Sequence, residues 1–315
     1  MISTQASAAA KIILFGEHAV VYGHPAVAIT LQDVRANAAV SIDLSITTPI
    51  IEANDFKIRI SLDEPKVPNA IIHLIKAIEL FNAKVTELPK SGWRLTLWSK
   101  IPIGRGLGSS ASTSIAVLRA LLKAVNKILL PKELIDLSFE LEKIHHGTPS
   151  GIDNTVISLE KPVLFRKDRE PASIKPCSPV YFVVGDSGIS KSTGEIVAQV
   201  AAAREKNLEQ YDRIFKQIGQ LSLEGSRAVK DGDAKKLGHL MNENQALLER
   251  LNVSSPELDR LIKAAVSSGA IGAKLCGAGK GGCIVAVPHD FESSKIIAKQ
   301  LLKAGAEKSF ITKLK

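Results

Sequence analysis

A glycine-rich segment at residues 102–112 is the strongest candidate for chemistry in this sequence. Its three glycines stand at alternate positions, and glycine allows the backbone to turn so that consecutive N–H groups face one anion. A helical pattern follows at once, and a helix start adds unpaired N–H donors and a positive dipole end. Ser109 and Ser110 at the junction suit either helix capping or coordination of a phosphate or its Mg²⁺. The segment therefore predicts phosphate binding. It is not a Walker motif, because Ser109 stands where that pattern has lysine.

A second glycine cluster occupies residues 277–282 and formally matches the GxGxxG pattern. A dinucleotide site needs a strand before such a loop and a helix after it. Here the apolar run Cys283–Val287 follows and reads as a strand. Four glycines in six residues exceed what a strand-to-strand turn needs, so we expect the backbone of this loop to pack closely against a second ligand or loop.

Charged residues flank a short apolar strand near the start of the chain. Lys11 opens the run of residues 12–15, and Glu17 and His18 follow directly after it. Buried groups of these types need partners, so the cluster favours a functional site over ordinary core structure. A further pair, Glu142 and Asp153, is weak evidence alone, because Asp-Asn after glycine is common in turns.

The elements that must position these residues differ between the two halves of the chain. In the first half, apolar residues alternate over residues 34–46, 56–62 and 93–97, which predicts an antiparallel sheet with one solvated face. Helices are predicted at residues 69–81, 109–127 and 131–146, with a loop and then a strand over 149–165.

The second half reads mainly as helices with a few strands. Strands are predicted at residues 180–185, 283–287 and 309–314, and helices at 192–205, 208–230, 234–251, 256–268 and 291–303. Proline-rich turns near residue 173 predict a domain boundary there. These patterns together predict an α+β protein of two domains, residues 1–173 and 174–315.

Composition excludes several classes of protein. The 315 residues are 45% hydrophobic, and the net charge of +9 comes from 41 basic and 32 acidic residues, with lysines concentrated near the C-terminus. Only 4% are aromatic, which disfavours a reader of single-stranded nucleic acid. Three cysteines cannot form a disulfide scaffold, and the lack of a CxxC pair argues against a zinc site. No signal peptide or 18-residue apolar run is present, so we expect a cytoplasmic protein without membrane association.

In chain order, these segments resemble the motifs of the GHMP kinases, the small-molecule kinases named for galactose, homoserine, mevalonate and phosphomevalonate. The similarity spans most of the chain. It is greatest to the mevalonate kinase branch, because the first motif ends Gly-Glu-His-Ala-Val-Val-Tyr-Gly and Glu142 precedes Asp153 by eleven residues. Two residues depart from the third motif: Cys276 stands where threonine or serine is usual, and Lys280 where glycine is usual.

The resemblance implies a two-domain GHMP kinase architecture, with an N-terminal ribosomal-protein-S5-like α/β domain and a C-terminal ferredoxin-like α+β domain. It implies ATP and Mg²⁺ as cofactors, with Mg²⁺ held by Ser110 and Glu142. Asp153 accepts or orients the proton of the acceptor hydroxyl, and Lys11 supports it; the sequence leaves open which of the two supplies more activation.

The remaining implied roles concern binding. The phosphates of ATP are assigned to Gly104, Gly106, Leu107, Gly108, Ser109, Ser110, Ala111 and Ser112. The acceptor substrate is assigned to Glu17, His18 and Thr193. The supporting loop is assigned to Gly277, Gly279, Gly281 and Gly282. Lys280 is expected to place an extra cation near the diphosphate.

The implied reaction is transfer of the γ-phosphoryl group of ATP to the C5 hydroxyl of mevalonate. The alternatives are a relative acting on another small alcohol, such as a mevalonate 3-kinase, a phosphomevalonate kinase or a homoserine kinase. A more remote alternative is a basic nucleic-acid-binding module, which steep salt dependence would reveal. We expect ATP and a small-molecule acceptor as partners and no nucleic acid, and the resemblance implies a homodimer.

Overall fold

The computed structural model describes residues 3–146, 150–167 and 169–315. These residues form two compact units, each assembled from segments that are distant along the chain. The first unit comprises residues up to Ala10, Val34–Ile101 and Gly108–Glu160. The second comprises Lys11–Asp33, Pro102–Leu107 and Lys161–Lys315. The division at residue 173 stays a prediction. Across the ranges just given, no helix has both the length and the apolar character needed to cross a bilayer.

The larger sheet has the strand order β4-β3-β5-β2-β6-β7, with β1 paired to β2. Two of its strands, β1 and β2, each run from one unit into the other. The pairing of β3 with β5 is parallel, so the predicted antiparallel sheet is in fact mixed. Its strands are β1 (Ser3–Phe15), β2 (Ala26–Ile42), β3 (Ile50–Ala53), β4 (Ile58–Ser61), β5 (Trp93–Ser99), β6 (Val163–Phe165) and β7 (Ala172–Ser173).

The predicted alternation is confirmed in β2 up to Val40, where every second residue is buried. The strand does not continue to Ile46 as predicted. Asp43 accepts hydrogen bonds from both the backbone and the hydroxyl of Ser45, which turns the chain and leaves Leu44 89% exposed. The early parts of β1 and β2 were not predicted, because their alanine-rich, buried segments show no polar alternation.

Four helices belong to the first unit: α1 (Ile72–Lys84), α2 (Ser109–Ala124), α3 (Pro131–His146) and α4 (Ile152–Leu159). Helix α2 packs against the other three, and its residues from Ala111 to Leu118 are buried. Over residues 149–165 a loop and then a strand were predicted; β6 confirms the strand, and helix α4 replaces most of the loop. The helix begins after Gly151, whose φ of 84° bends the backbone sharply at this point. In the sequence alone, this glycine indicated a turn.

The second unit contains a four-stranded antiparallel sheet in the order β11-β8-β10-β9. Its strands are β8 (Val180–Asp186), β9 (Gly272–Cys276), β10 (Cys283–Val287) and β11 (Lys308–Leu314). Strand β9 was not predicted, because Lys274 interrupts its short apolar run. It is nevertheless buried throughout, so its lysine must have a partner inside the protein.

Five helices of the second unit follow the predicted order closely. They are α5 (Thr193–Lys206), α6 (Leu208–Asp231), α7 (Ala234–Arg250), α8 (Pro256–Ser267) and α9 (Phe291–Lys303). Each begins after a side chain that accepts a hydrogen bond from the first turn, and these caps explain why the starts were readable. The caps are Ser192, Asn207, Asp233, Ser255 and Asp290.

Candidate active site

The first part of the predicted phosphate loop, Pro102–Leu107, lies in the second unit. Gly104 and Gly106 have φ values of 71° and 76°, in the left-handed region that favours glycine. A side chain at Gly104 would overlap the hydroxyl of Ser190, which donates a 3.1 Å hydrogen bond to the Gly104 carbonyl. Leu107 is buried, and its carbonyl accepts a 3.0 Å hydrogen bond from the backbone N–H of Lys11. The backbone conformation of both turns therefore favours glycine.

The rest of the predicted loop leads into helix α2 of the first unit. Gly108 has φ of 73° and precedes Ser109, the first helical residue. Among the described residues no side chain caps this helix, so its first N–H groups suit an external anion. The Ser112 hydroxyl instead donates to the Ala9 carbonyl at 2.9 Å. Ser109 and Ser110 are half-buried, which favours them over Ser112 as side-chain ligands.

Ser110, Glu142 and Asp153 lie on three helices of the first unit that pack against one another. Ser110 is in the first turn of α2, Glu142 lies in α3, and Asp153 is in the first turn of α4. All three side chains are half-buried. A hydroxyl and a carboxylate are hard oxygen donors of the kind that Mg²⁺ takes, so this set fits that ion. The predicted motif also includes residues 147–149, which lie outside the described residues.

The charged residues of the first motif lie inside the second unit. Lys11 is 4% exposed, and the carboxylate of Glu17 forms a buried ion pair with Lys274. Asn244 donates a second hydrogen bond to Glu17 at 3.1 Å. We call Glu17, Asn244 and Lys274 the Glu17 cluster. The contact of Glu17 with substrate stays a prediction, but its carboxylate already has two internal donors.

Lys274 is a residue that the sequence analysis missed. The available signal was a lysine in the centre of an apolar five-residue run, Gly-Ala-Lys-Leu-Cys. A lysine in such a run must be paired if the run is a buried strand. Its partner, Glu17, precedes it by 257 residues, so the pairing itself was not readable.

His18 joins the first motif to the third glycine loop. Its Nε2 lies 2.9 Å from the carbonyl oxygen of Ala278. Burial lowers the pKa of His18, and nearby Lys274 adds to this effect, although the hydrogen bond to Ala278 opposes it. A carbonyl can only accept, so the neutral ring carries its proton on Nε2 and donates it to Ala278. His18 itself adopts φ of 60°, which aims the ring at that loop.

The third glycine loop, residues 277–282, connects the antiparallel strands β9 and β10. A side chain at Gly279 would overlap the Val253 carbonyl, and one at Gly277 would lie 3.8 Å from the Gly106 Cα. The Gly282 N–H donates to the Ile189 carbonyl at 2.8 Å. The loop therefore packs against the Pro102–Leu107 segment, as the glycine count had suggested. Its supporting role in catalysis stays a prediction.

The two unusual residues of the third motif occupy different surroundings. The Cys276 thiol is buried and donates to the Ile13 carbonyl at 3.3 Å, and burial raises its pKa to about 11. Cys276 is therefore a neutral donor where threonine or serine would also donate. Lys280 is half-buried with φ of 56°, and its N–H donates to the Val253 carbonyl at 2.8 Å.

Thr193, the remaining predicted substrate residue, is the first residue of α5 and is exposed. It follows residues 187–192, which connect β8 to α5. Within this connection Ser190 contacts Gly104, and Ile189 contacts Gly282. The structure therefore links the segment before Thr193 to both glycine loops of the second unit.

Family models match both halves of the chain. The model for the GHMP kinases N terminal domain matches residues 72–161, and the model for the GHMP kinases C terminal matches residues 226–307. Among relatives, a mevalonate kinase of Pyrococcus abyssi is 38% identical over 90% of this chain and 88% of its own. A mevalonate kinase of Archaeoglobus fulgidus is 36% identical over 89% of this chain and 90% of its own.

Solved structures agree with these relatives. The mevalonate kinase of Methanococcus jannaschii matches with a TM-score of 0.82 at 30% identity, covering 99% of this chain and 97% of that one. The L. major mevalonate kinase in complex with R-mevalonate matches with a TM-score of 0.85 at 27% identity, covering 99% and 95%. The fold is the two-domain α+β fold of these kinases. The chain belongs to the GHMP kinase family and, within it, to the mevalonate kinases.

Proposed function

We propose that this protein transfers the γ-phosphoryl group of ATP to the C5 hydroxyl of mevalonate, giving 5-phosphomevalonate. The observation that carries the proposal is the glycine-rich segment that turns at Gly104, Gly106 and Gly108 and then enters a helix that no side chain of the described residues caps. Such a backbone suits phosphate groups. Relatives of 38% and 36% identity named as mevalonate kinases, and a structural neighbour that binds R-mevalonate, support the acceptor.

The transition state of phosphoryl transfer is loose and rich in charge, so the protein contributes mainly positioning and electrostatic stabilisation. Backbone N–H groups of residues 104–111, which include the start of α2, would bind the nucleotide phosphates. The half-buried Ser109 and Ser110 hydroxyls would extend this set. The hydroxyl of Ser112 donates to the Ala9 carbonyl, and its N–H donates to the Gly108 carbonyl at 2.8 Å, so both groups already have acceptors inside the protein.

Ser110 and Glu142 would hold Mg²⁺, whose charge neutralises phosphate oxygens when it is bound. Their helices, α2 and α3, pack together, which supports a shared ion. One hydroxyl and one carboxylate are few ligands for an octahedral ion, which agrees with the usual reliance of Mg²⁺ on waters and substrate phosphates.

Asp153 would accept or orient the proton of the acceptor hydroxyl. It lies in the first turn of α4, where the helix dipole favours a carboxylate. Lys11 would stabilise the negative charge that develops on the attacking oxygen. His18 is held as a neutral ring by burial, and Glu17 lies beside it; we assign both to the wall of the acceptor site, with Thr193 at the start of α5.

The deciding experiment measures ADP release by the purified protein with R-mevalonate, phosphomevalonate, homoserine and galactose, each with ATP and Mg²⁺. We expect R-mevalonate to give the highest kcat/KM, and NMR of the product to show phosphate on C5. A higher kcat/KM with another alcohol, or phosphate on C3, would refute the proposed acceptor.

Two further properties complete the proposal. The three cysteines are unpaired in the structure, which supports a reducing compartment and hence the cytoplasm. A homodimer is the expected assembly, and sedimentation equilibrium would distinguish it from a monomer of 33.8 kDa. Retention on nucleic acid that falls steeply with salt would instead favour the nucleic-acid alternative.

A further inference from the structure

Arg105 is the single charged residue of the Pro102–Leu107 segment, and its side chain does not project into solvent. Its Nε lies 3.3 Å from Asp186 Oδ1, and its Nη2 lies 3.2 Å from Glu307 Oε2. The Arg105 side chain is only 15% exposed, and that of Asp186 is 1% exposed. The guanidinium of Arg105, which stands between two loop glycines, therefore already forms ion pairs with two carboxylates of the same unit.

Both carboxylates are fixed by the four-stranded sheet. Asp186 ends β8 and is in register with Cys283 of β10 and Lys308 of β11. Glu307 directly precedes β11, and its N–H donates to the Asp186 carbonyl at 2.8 Å. Strand β8 is hydrogen-bonded on both sides, so Arg105 connects the glycine-rich loop to the interior of a sheet.

The charge of the buried Asp186 carboxylate is balanced by Arg105. Burial raises the pKa of Asp186, while the Gly188 N–H and Arg105 oppose the effect. Its second oxygen, Oδ2, is buried and has no hydrogen-bond partner in the described part of the chain. A buried carboxylate without a cation is costly, so the carboxylate holds Arg105 strongly in return.

A second contact holds the same turn. Ser190, four residues beyond Asp186, donates its hydroxyl to the Gly104 carbonyl at 3.1 Å. Neighbouring residues of the loop, Gly104 and Arg105, are thus tied to one segment, residues 186–190. Glycine-rich loops have many accessible conformations, and ties of this kind restrict them.

We propose that Arg105 is a positioning residue that anchors the phosphate-binding loop to Asp186 and Glu307, so that the loop's N–H groups are preorganised for the nucleotide. The inference rests on the proposed function for the identity of the bound anion. Arg105 acts through the backbone of the loop, and its guanidinium remains on the carboxylates when nucleotide binds.

The test compares Arg105→Met, Arg105→Lys, Asp186→Asn and Glu307→Gln with the control Arg213→Met, whose exposed side chain lies on α6. We expect Arg105→Met to raise the KM for ATP by about tenfold, the scale of a lost charge-assisted hydrogen bond, while the acceptor KM changes less than about twofold. Arg105→Lys restores part of the loss. Glu307→Gln has a smaller effect, because Glu307 is half-exposed, and Arg213→Met has none.

Asp186→Asn separates anchoring from direct phosphate binding. If Arg105 is an anchor, this variant raises the KM for ATP; if Arg105 swings to the phosphates, releasing it lowers that KM and overturns the proposal. Arg105→Met also leaves Asp186 uncompensated, so the double variant Arg105→Met with Asp186→Asn should recover the thermal stability yet keep the raised KM. An unchanged KM for ATP, or an equal rise in both KM values, would also overturn the proposal.

The same variants are titrated calorimetrically with AMPPNP and Mg²⁺ in the absence of acceptor. This measurement keeps the two proposals separate. If mevalonate is not the acceptor, the ADP-release assay fails for the wild-type protein, but weaker AMPPNP binding by Arg105→Met still supports the anchor. If AMPPNP affinity is the same in wild type and Arg105→Met, the anchor is refuted even though mevalonate is phosphorylated.

Discussion

The charged and polar residues of the candidate site are buried to different degrees in the two units. In the first unit, Ser110, Glu142 and Asp153 are half-buried on helices. In the second unit, Lys11 and the Glu17 cluster are buried. Helix ends offer backbone donors and a dipole without burying a charge, whereas an internal ion pair must offset the loss of hydration.

Because of this difference, we expect substitutions in the first unit to affect mainly turnover and substitutions of the buried charges to affect mainly stability. A half-buried carboxylate is removed with little effect on folding, so its loss is seen in turnover. A buried charge is balanced by its partner, so its loss is seen first in the free energy of unfolding. The following variants test that separation.

Asp153→Ala should have the largest effect on turnover. Removing a residue that accepts or orients a proton lowers kcat by about 10²- to 10⁴-fold. Steady-state ADP release gives kcat, and thermal unfolding should show a midpoint close to that of the wild type. Asp136→Ala, which changes an exposed aspartate on α3, is the matched control with normal kcat.

Lys11→Met should also lower kcat, but with a loss of stability, because Lys11 is buried. Near-normal turnover in either variant would remove that residue's role.

Lys274→Met should have the largest effect on stability. It leaves Glu17 buried without its cation, which costs about 3 to 5 kcal/mol. Urea denaturation measures the change, and Lys263→Met, an exposed lysine on α8, should leave it unaffected. Adding Glu17→Gln should recover part of the loss. A free energy of unfolding equal to that of the wild type would show that burial does not separate the two groups of residues.

Glu142→Gln should raise the Mg²⁺ concentration for half-maximal rate by about tenfold, the size of effect that weakened metal ligation produces. The free energy of unfolding should change little, because Glu142 is half-buried. Glu140→Gln on the same helix is the control. A Mg²⁺ dependence identical to that of the wild type would assign the ion to other ligands.

Lys280→Gly should have the smallest effects, weakening the binding of ATP while stabilising the fold. The KM for ATP should rise a few-fold as an extra cation is lost. Stability should rise by about 1 kcal/mol, because glycine relieves the φ of 56°. An unchanged KM with raised stability would reduce Lys280 to a strained loop residue.

Most helices of the fold could be predicted from the sequence, and there are physical causes for the elements and contacts that could not be. The helices of the second unit were readable because each carries a side-chain cap at its start. Helix α4 was not, because Gly151 and Asp153 are also typical of turns. The partners of buried charges were unreadable: Arg105 precedes Glu307 by 202 residues, and no local pattern records such a pairing.

The passage of β1 and β2 through both units has a consequence for synthesis of the protein. Residues 11–33 leave the ribosome early, but they belong to a unit completed only by residues 161–315. The first unit is complete once Glu160 has emerged, so it can fold while translation continues. The buried carboxylate of Glu17 must wait for Lys274, and nascent chains therefore carry it without this cation until most of the chain has been synthesised.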